Sequence, residues 1–337
     1  ITATAHENGG ISPDGEVAVA EGESQTFTIS PANGFEIERV EVDGSTLAAA
    51  DYADGTYTFA DVQAAHTIEV WFAAKQVESG VTYYISPTGS DQADGKTEAT
   101  AWQTLDKVNN TTFQPGDKIL FQSGGIWNGW LWPKGSGAAG NPITLGKYGG
   151  DAYPIFNGTG DSPLQSTTTN PTAENRFNPT VFLCDQSYWV IEHLEVTNNP
   201  RTDRNNLGIL VYTTGTVDSG LGDWRVYDVT VRSCYVHDVT AAVSNAKLTG
   251  GILGMGSVYH IDGSTVFPSG QNSARRNMVG FDGLLFENNH VKNVAKEGVR
   301  TSGSGDGSPF RNQKTHRNVT IRGNYIEDIF GDGIVLA

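Results

Sequence analysis

Glu297 and Asp332 are the side chains in this sequence whose types and spacing best suit catalysis. Each stands immediately before a Gly–aliphatic dipeptide, Gly298-Val299 and Gly333-Ile334. The same phrase occurs earlier with Leu207 before Gly208-Ile209 and Gly250 before Gly251-Ile252. Stacked as successive turns of one β structure, the two carboxylates share an offset on neighbouring strands, ~4.8 Å apart. That approaches the ~5 Å separation at which paired carboxyl groups cleave a glycosidic bond with retention. Such closeness drives two pKa values apart, leaving one carboxyl protonated as an acid and the other ionised as a nucleophile. Glu-Gly and Asp-Gly are also common turn formers, and turn chemistry is the competing account. Arg300 belongs to the same phrase. With Val299 and Thr301 facing inward, alternation turns Arg300 outward, toward a substrate hydroxyl or carboxylate, or into an ion pair with Glu297 or Asp332.

The elements that must position these residues are written four times between Trp189 and Ala337. Trp189-Val190-Ile191 leads through Leu194 and Val196 to Gly208-Ile209, and Val229-Thr230-Val231 through Cys234 and Val236 to Gly251-Ile252. Leu284-Leu285-Phe286 leads through Asn289 and Val291 to Gly298-Val299, and Val319-Thr320-Ile321 through Asn324 and Ile326 to Gly333-Ile334. Each copy holds three short period-2 strands joined by turns too tight for a helix. Repetition of this kind means a solenoid, whose units bury their apolar faces against one another. Three strands per coil, with Asn289 over Asn324 at one corner, predict an all-β chain built on a right-handed parallel β-helix. The β-helix is expected over 81–337. Its first coil starts at 114–121, behind a short helix over 101–108 whose Trp102, Leu105 and Val108 share one face and cover the open end.

Coil lengths are uneven, and the surplus always follows the same strand: 212–224, 255–281 and 302–317. Insertions after equivalent strands stack on one edge of a solenoid and wall a groove along one sheet. They carry the candidate substrate-binding residues Tyr212, Trp224, Tyr259, His260, Arg275 and Arg311, with Arg276 and His316 beside them. Aromatic rings stack on sugar rings, and Arg or His hold hydroxyls and carboxylates. His237, Asp238, Glu327 and Asp328 fall on another face and read as solvated, and His193 reads as surface.

The bulk composition narrows the partners. A net charge of −16 over 337 residues disfavours nucleic acid and anionic membrane surfaces. No run approaches the ~18 apolar residues of a membrane span. Cys184 and Cys234, flanked by apolar residues, read as buried free thiols. No His/Cys/Glu spacing forms a zinc site and no Gly-rich loop precedes a helix, so neither a metal nor a cofactor is expected from the residues.

Residues 1–77 read as a separate small β-rich domain. Alternating strands at 26–29, 40–42, 57–59 and 67–72 are punctuated by Gly9-Gly10, Asn33-Gly34, Asp43-Gly44 and Asp54-Gly55. The wording from Gly9-Gly10-Ile11-Ser12-Pro13 through Asn33-Gly34-Phe35 to Val40-Glu41-Val42-Asp43-Gly44 resembles the bacterial modules called divergent InlB B-repeats. That resemblance implies a non-catalytic β-grasp-like module on a bacterial secreted or cell-surface protein.

A second resemblance lies further on. Tyr83-Tyr84-Ile85-Ser86-Pro87, Gly89-Ser90-Asp91, Ala101-Trp102, Thr104-Leu105, Pro115-Gly116-Asp117 and Gly140-Asn141-Pro142-Ile143-Thr144 are similar to the opening of secreted β-helix carbohydrate enzymes. That group holds polysaccharide lyases and several glycoside hydrolase families. Glu297-Gly298-Val299-Arg300 and Gly331-Asp332-Gly333-Ile334-Val335 look closer to the hydrolases. The lyase pattern of adjacent calcium-binding carboxylates followed by an in-register Lys and Arg is not found, and Ca2+ enters only if the chain is a lyase. Three readings follow: a glycoside hydrolase acting on a polysaccharide or complex glycan in the groove, a lyase acting by β-elimination on a uronate-containing glycan, and a non-catalytic glycan-binding surface protein. The sequence stops inside a coil without a polar cap, which predicts that C-terminal coils of the same polypeptide or a companion chain complete the solenoid.

Overall fold

The computed structural model describes residues 1–32, 34–74, 80–159, 177–199, 205–214, 225–240, 249–256, 279–302 and 316–336. They form two compact units, Ile1–Val77 and Glu78–Ala337.

The first unit holds β1 (Thr2–Ala5), β2 (Gly9–Ser12), β3 (Gly15–Glu16), β4 (Gln25–Pro31), β5 (Phe35–Val42), β6 (Ser45–Thr46), β7 (Thr56–Phe59) and β8 (Thr67–Ala74). Five of them form a sheet in the order β3-β1-β8-β5-β6, and β2-β4-β7 form a second. Strict alternation places Phe27 and Ile29 of β4 inside, with Val40, Ile68 and Val70 from the facing strands.

The second unit is a parallel β-helix of three sheets. The first sheet takes β9 (Thr82–Ile85), β10 (Lys118–Gln122), β12 (Ile143–Tyr148), β15 (Trp189–Glu192), β18 (Arg225–Arg232), β21 (Gly280–Glu287) and β24 (Thr320–Arg322). The second takes β11 (Ile126–Asn128), β13 (Ile155–Asn157), β16 (Glu195–Asn198), β19 (Tyr235–Val239), β22 (His290–Val294) and β25 (Tyr325–Ile329). The third takes β14 (Phe177–Cys184), β17 (Asn205–Thr213), β20 (Gly250–Gly256), β23 (Glu297–Ser302) and β26 (Ile334–Leu336). Every strand pairs in parallel with its counterpart one coil away, and inward side chains of all three sheets merge in one core containing Trp189, Val229, Phe286, Val236, Val291, Ile252 and Val299.

Two corners explain the repeated phrase. Between the first and second sheets, Asn289 is buried and donates through Nδ2 to the Val231 carbonyl (2.9 Å) and to Asn324 Oδ1 (2.9 Å). Its own Oδ1 accepts the Cys234 N–H at 3.0 Å. At the corner where the third sheet begins stand Gly208, Gly251 and Gly298, inside β17, β20 and β23, with Gly333 just ahead of β26. A Cβ on Gly251 would lie 2.5 Å from Val291 Cγ1 and 2.7 Å from the Gly298 carbonyl, and one on Gly298 would lie 2.6 Å from the Gly333 carbonyl. Only glycine lets successive coils close at this corner.

The entry helix differs from the sequence reading. It runs over α1 (Leu105–Asn109), capped by Thr104 Oγ1, which accepts the Lys107 N–H at 3.2 Å. Trp102 is drawn out of it: its N–H donates to the Tyr84 carbonyl (2.9 Å) and its carbonyl accepts from Ser86 (2.8 Å), bridging it to the first strand. The N-cap preference of Thr and this bridge outweigh the helical spacing. Trp102, Leu105 and Val108 are all buried nonetheless.

Candidate active site

The outer face of the third sheet is built from residues that skip across the glycine corner. In register run Leu207, Gly250 and Glu297, and then Leu210, Leu253, Arg300 and Val335. Between these rows Ile209, Ile252 and Val299 point into the main core. Leu207 and Leu210, three residues apart, lie together in a second apolar cluster with Phe182, Tyr212, Leu253 and Met255. The strand therefore changes phase at Gly208, and by register Glu297 and Arg300 project from the same outer side. An i,i+3 pair within one strand can meet only because of that shift.

They do meet. Arg300 Nη1 donates to Glu297 Oε1 at 2.5 Å. Glu297 is 3% exposed, and its Oε2 has no hydrogen-bond partner among the described residues. Burial raises its carboxyl above the ordinary range, while Arg300 and Lys296 pull it down and the Asp332 charge pushes it up more weakly. Net, burial wins, and the group is biased toward holding a proton. Thr249, fully buried in the adjacent coil, accepts the Glu297 N–H through its carbonyl at 3.3 Å. Its hydroxyl is the second buried polar atom here without a partner among the described residues.

Asp332 stands one coil on from Glu297, its carbonyl accepting the Gly298 N–H at 3.0 Å, just ahead of β26 and exposed to solvent. Tyr212 lies inside β17 rather than in an insertion and is 2% exposed, packed in the outer apolar cluster. Trp224, Tyr259, His260, Arg275 and Arg311 lie outside the described residues, as does Arg276. His316 stacks on Phe281 with ring centroids 5.3 Å apart and its Nδ1 accepts the Phe281 N–H at 3.2 Å; burial lowers its pKa.

One cation of this face escaped the sequence reading. Leu131 bridges Val181 and Trp132 packs on Phe182, so the 131–134 segment adds a rung before β14. There Lys134 Nζ lies 2.8 Å from the Trp132 ring centroid, and burial drives its pKa down to about 7. The alternation of Leu131-Trp132-Pro133-Lys134 was the available signal. Among the described residues, no group of His, Cys, Asp or Glu could hold a metal ion, and no helix is long and apolar enough to cross a membrane. Cys184 and Cys234 are free thiols.

No protein-family model matches the chain. In an alignment 308 positions long that covers 78% of its length, the chain is 26% identical to a lacto-N-biosidase of Bifidobacterium longum subsp. longum. It spans only 19% of that relative. Among solved structures, it is similar to the GH136 lacto-N-biosidase from Eubacterium ramulus, with a TM-score of 0.60 and 22% identity over 76% of this chain and 43% of that one. The native form of the same protein matches equally, with 42% of it covered. The likeness is one of fold. More than half of that enzyme has no counterpart here.

Proposed function

We propose that the second unit is the β-helix part of a glycoside hydrolase that acts on a complex glycan along the outer face of the third sheet. The observation that carries the reading is the buried Glu297 carboxyl, with Oε1 held by Arg300 and Oε2 free of partners among the described residues. In this reading Glu297 is the acid: it delivers its proton to the glycosidic oxygen as the leaving sugar departs. Asp332, ~4.8 Å away across one coil step, attacks the anomeric carbon to form a glycosyl ester. Glu297, now ionised, takes a proton from water, which hydrolyses the ester. The 26% identity to a lacto-N-biosidase supports a substrate of that class, a glycan bearing lacto-N-biose.

The remaining assignments belong to the same proposal. Arg300 orients the acid, and Trp224, Tyr259, His260, Arg275 and Arg311 contribute to the substrate groove. Phe330, Ile334 and Leu336, 94%, 52% and 71% exposed, form an apolar end that a further coil or companion chain would cover. The first unit serves as an InlB B-repeat-like spacer on a bacterial protein that is secreted or held at the cell surface.

The test is a screen of the full-length polypeptide against mucin-type and plant glycans with mass analysis of products. Release of saccharides that have gained water is expected. A product absorbing as an unsaturated uronate would replace the hydrolase reading with elimination, and binding without any product would leave a glycan-binding protein.

A further inference from the structure

We propose that the second sheet carries a separate, non-catalytic saccharide site that takes a neutral, hydroxyl-rich glycan. A cleft of about 390 Å³ opens there, lined by Asn128, Asn157, Gly158, Thr159, Thr197 and Asn199. Asn128, Asn157 and Thr197 are in register on three successive coils, so their side chains repeat at the strand spacing along the solenoid. They form a directed relay: Thr197 Oγ1 donates to Asn157 Oδ1 at 3.0 Å, and Asn157 Nδ2 donates to Asn128 Oδ1 at 3.2 Å.

The relay fixes which valences face outward. It leaves both N–H groups of Asn128, the second N–H of Asn157 and the acceptor lone pairs of Thr197, a mixture of donors and acceptors that matches sugar hydroxyls. Within a polarised chain, the terminal groups bond more strongly than isolated amides. Among the described residues that line the cleft none carries a charge, which suits a neutral glycan better than a uronate or a cation. Gly158 contributes bare backbone, since a Cβ would collide with Thr180 Oγ1 and lie 2.6 Å from Asn198 Cγ.

Titration of full-length protein carrying Glu297→Gln with chitotriose and lacto-N-biose, read by calorimetry, tests this. Saturable binding is expected to persist in Glu297→Gln and to weaken about tenfold or more in Asn157→Ala. Asn199→Trp, at the exposed rim and outside the relay, is expected to weaken it equally with an unchanged melting temperature. Polygalacturonate should not compete. The proposal is overturned if both variants leave the isotherm unchanged, if polygalacturonate competes as well as chitotriose, or if no saturable binding is found. Turnover of glycan by the unmodified protein is scored separately, so a failure of the hydrolase reading leaves this result legible.

Discussion

The outer faces of the second and third sheets are built by the same coils at the same pitch, yet they treat a carboxylate in opposite ways. On the second sheet Glu327 meets His290 at 3.0 Å and Lys292 at 3.2 Å, and those bonds hold its carboxyl below the ordinary range. On the third, Glu297 has a closer cation, at 2.5 Å, and its carboxyl is nevertheless raised. The difference lies in the surroundings. Glu327 is partly exposed, at 29% of its side chain, so water screens and solvates it, whereas Glu297, 3% exposed, sits in the row of Leu207 on a face whose neighbouring rows hold Leu210 and Leu253. A close partner lowers the carboxyl where water remains and is outweighed where burial removes it.

The largest expected effect breaks that contrast at its centre. Glu297→Gln in the full-length polypeptide should lower kcat by ~10²–10⁴, the usual range for loss of a general acid, while Lys292→Met on the second sheet leaves it unchanged. Steady-state rates at matched substrate decide this, and equal losses in both would remove Glu297 from the chemistry. The pH dependence sharpens the point. A raised carboxyl acting as acid loses activity as pH climbs through its pKa, so the alkaline limb of the rate profile belongs to Glu297. Arg300 lowers that pKa, so Arg300→Gln should move the limb to higher pH, with Arg300→Lys in between. A limb that stays in place in both variants would separate Arg300 from the titration.

The corners offer a comparison of stability. At the third-sheet corner, Gly251→Ala forces a methyl against Val291 Cγ1 and the Gly298 carbonyl, an overpacking expected to cost about 1–3 kcal/mol. At the second-sheet corner, Asn289→Ala leaves the buried Cys234 N–H without its acceptor, for about 1–3 kcal/mol by loss of a buried partner. Denaturant midpoints at a constant m-value measure both. Neutral behaviour at either corner would mean that coils there can shift apart.

The fold was legible because the chain writes one coil repeatedly, and each written feature has a local cause: inward aliphatics, the Asn289–Asn324 stack, a glycine where two coils close. The pairing of Glu297 with Arg300 was only half legible. Alternation alone turned Arg300 outward, and it did not reveal that the glycine corner shifts phase and brings Glu297 to the same side. The burial of that pair was not legible at all. The rows into which the pair falls also hold Leu207, Leu210 and Leu253, an outer apolar cluster that sequence patterning cannot distinguish from core residues. The entry helix is present but starts later than its spacing predicts: Trp102 has helical spacing to Leu105, but a strand bridge claims its backbone first.

The smallest effect is expected at a partly exposed cluster of the second sheet. On the second sheet, His237 bridges Glu195 (3.2 Å) and Asp238 (2.8 Å) and stacks on Tyr235 with ring centroids 4.2 Å apart. That is a denser set of partners than Glu297 possesses, and counting contacts would rank it the more important. Its carboxylates keep access to water, Glu195 at 27% and Asp238 at 42% exposed, and such pairs contribute about 0–1 kcal/mol and fade with salt. His237→Asn should therefore shift the unfolding free energy by under about 1 kcal/mol, with the difference shrinking further in molar salt. Equilibrium denaturation at low and high ionic strength reads it. A salt-insensitive loss of several kcal/mol would show that the second-sheet face is drier than its exposure indicates, and would erase the distinction between the two faces on which the assignment of Glu297 rests.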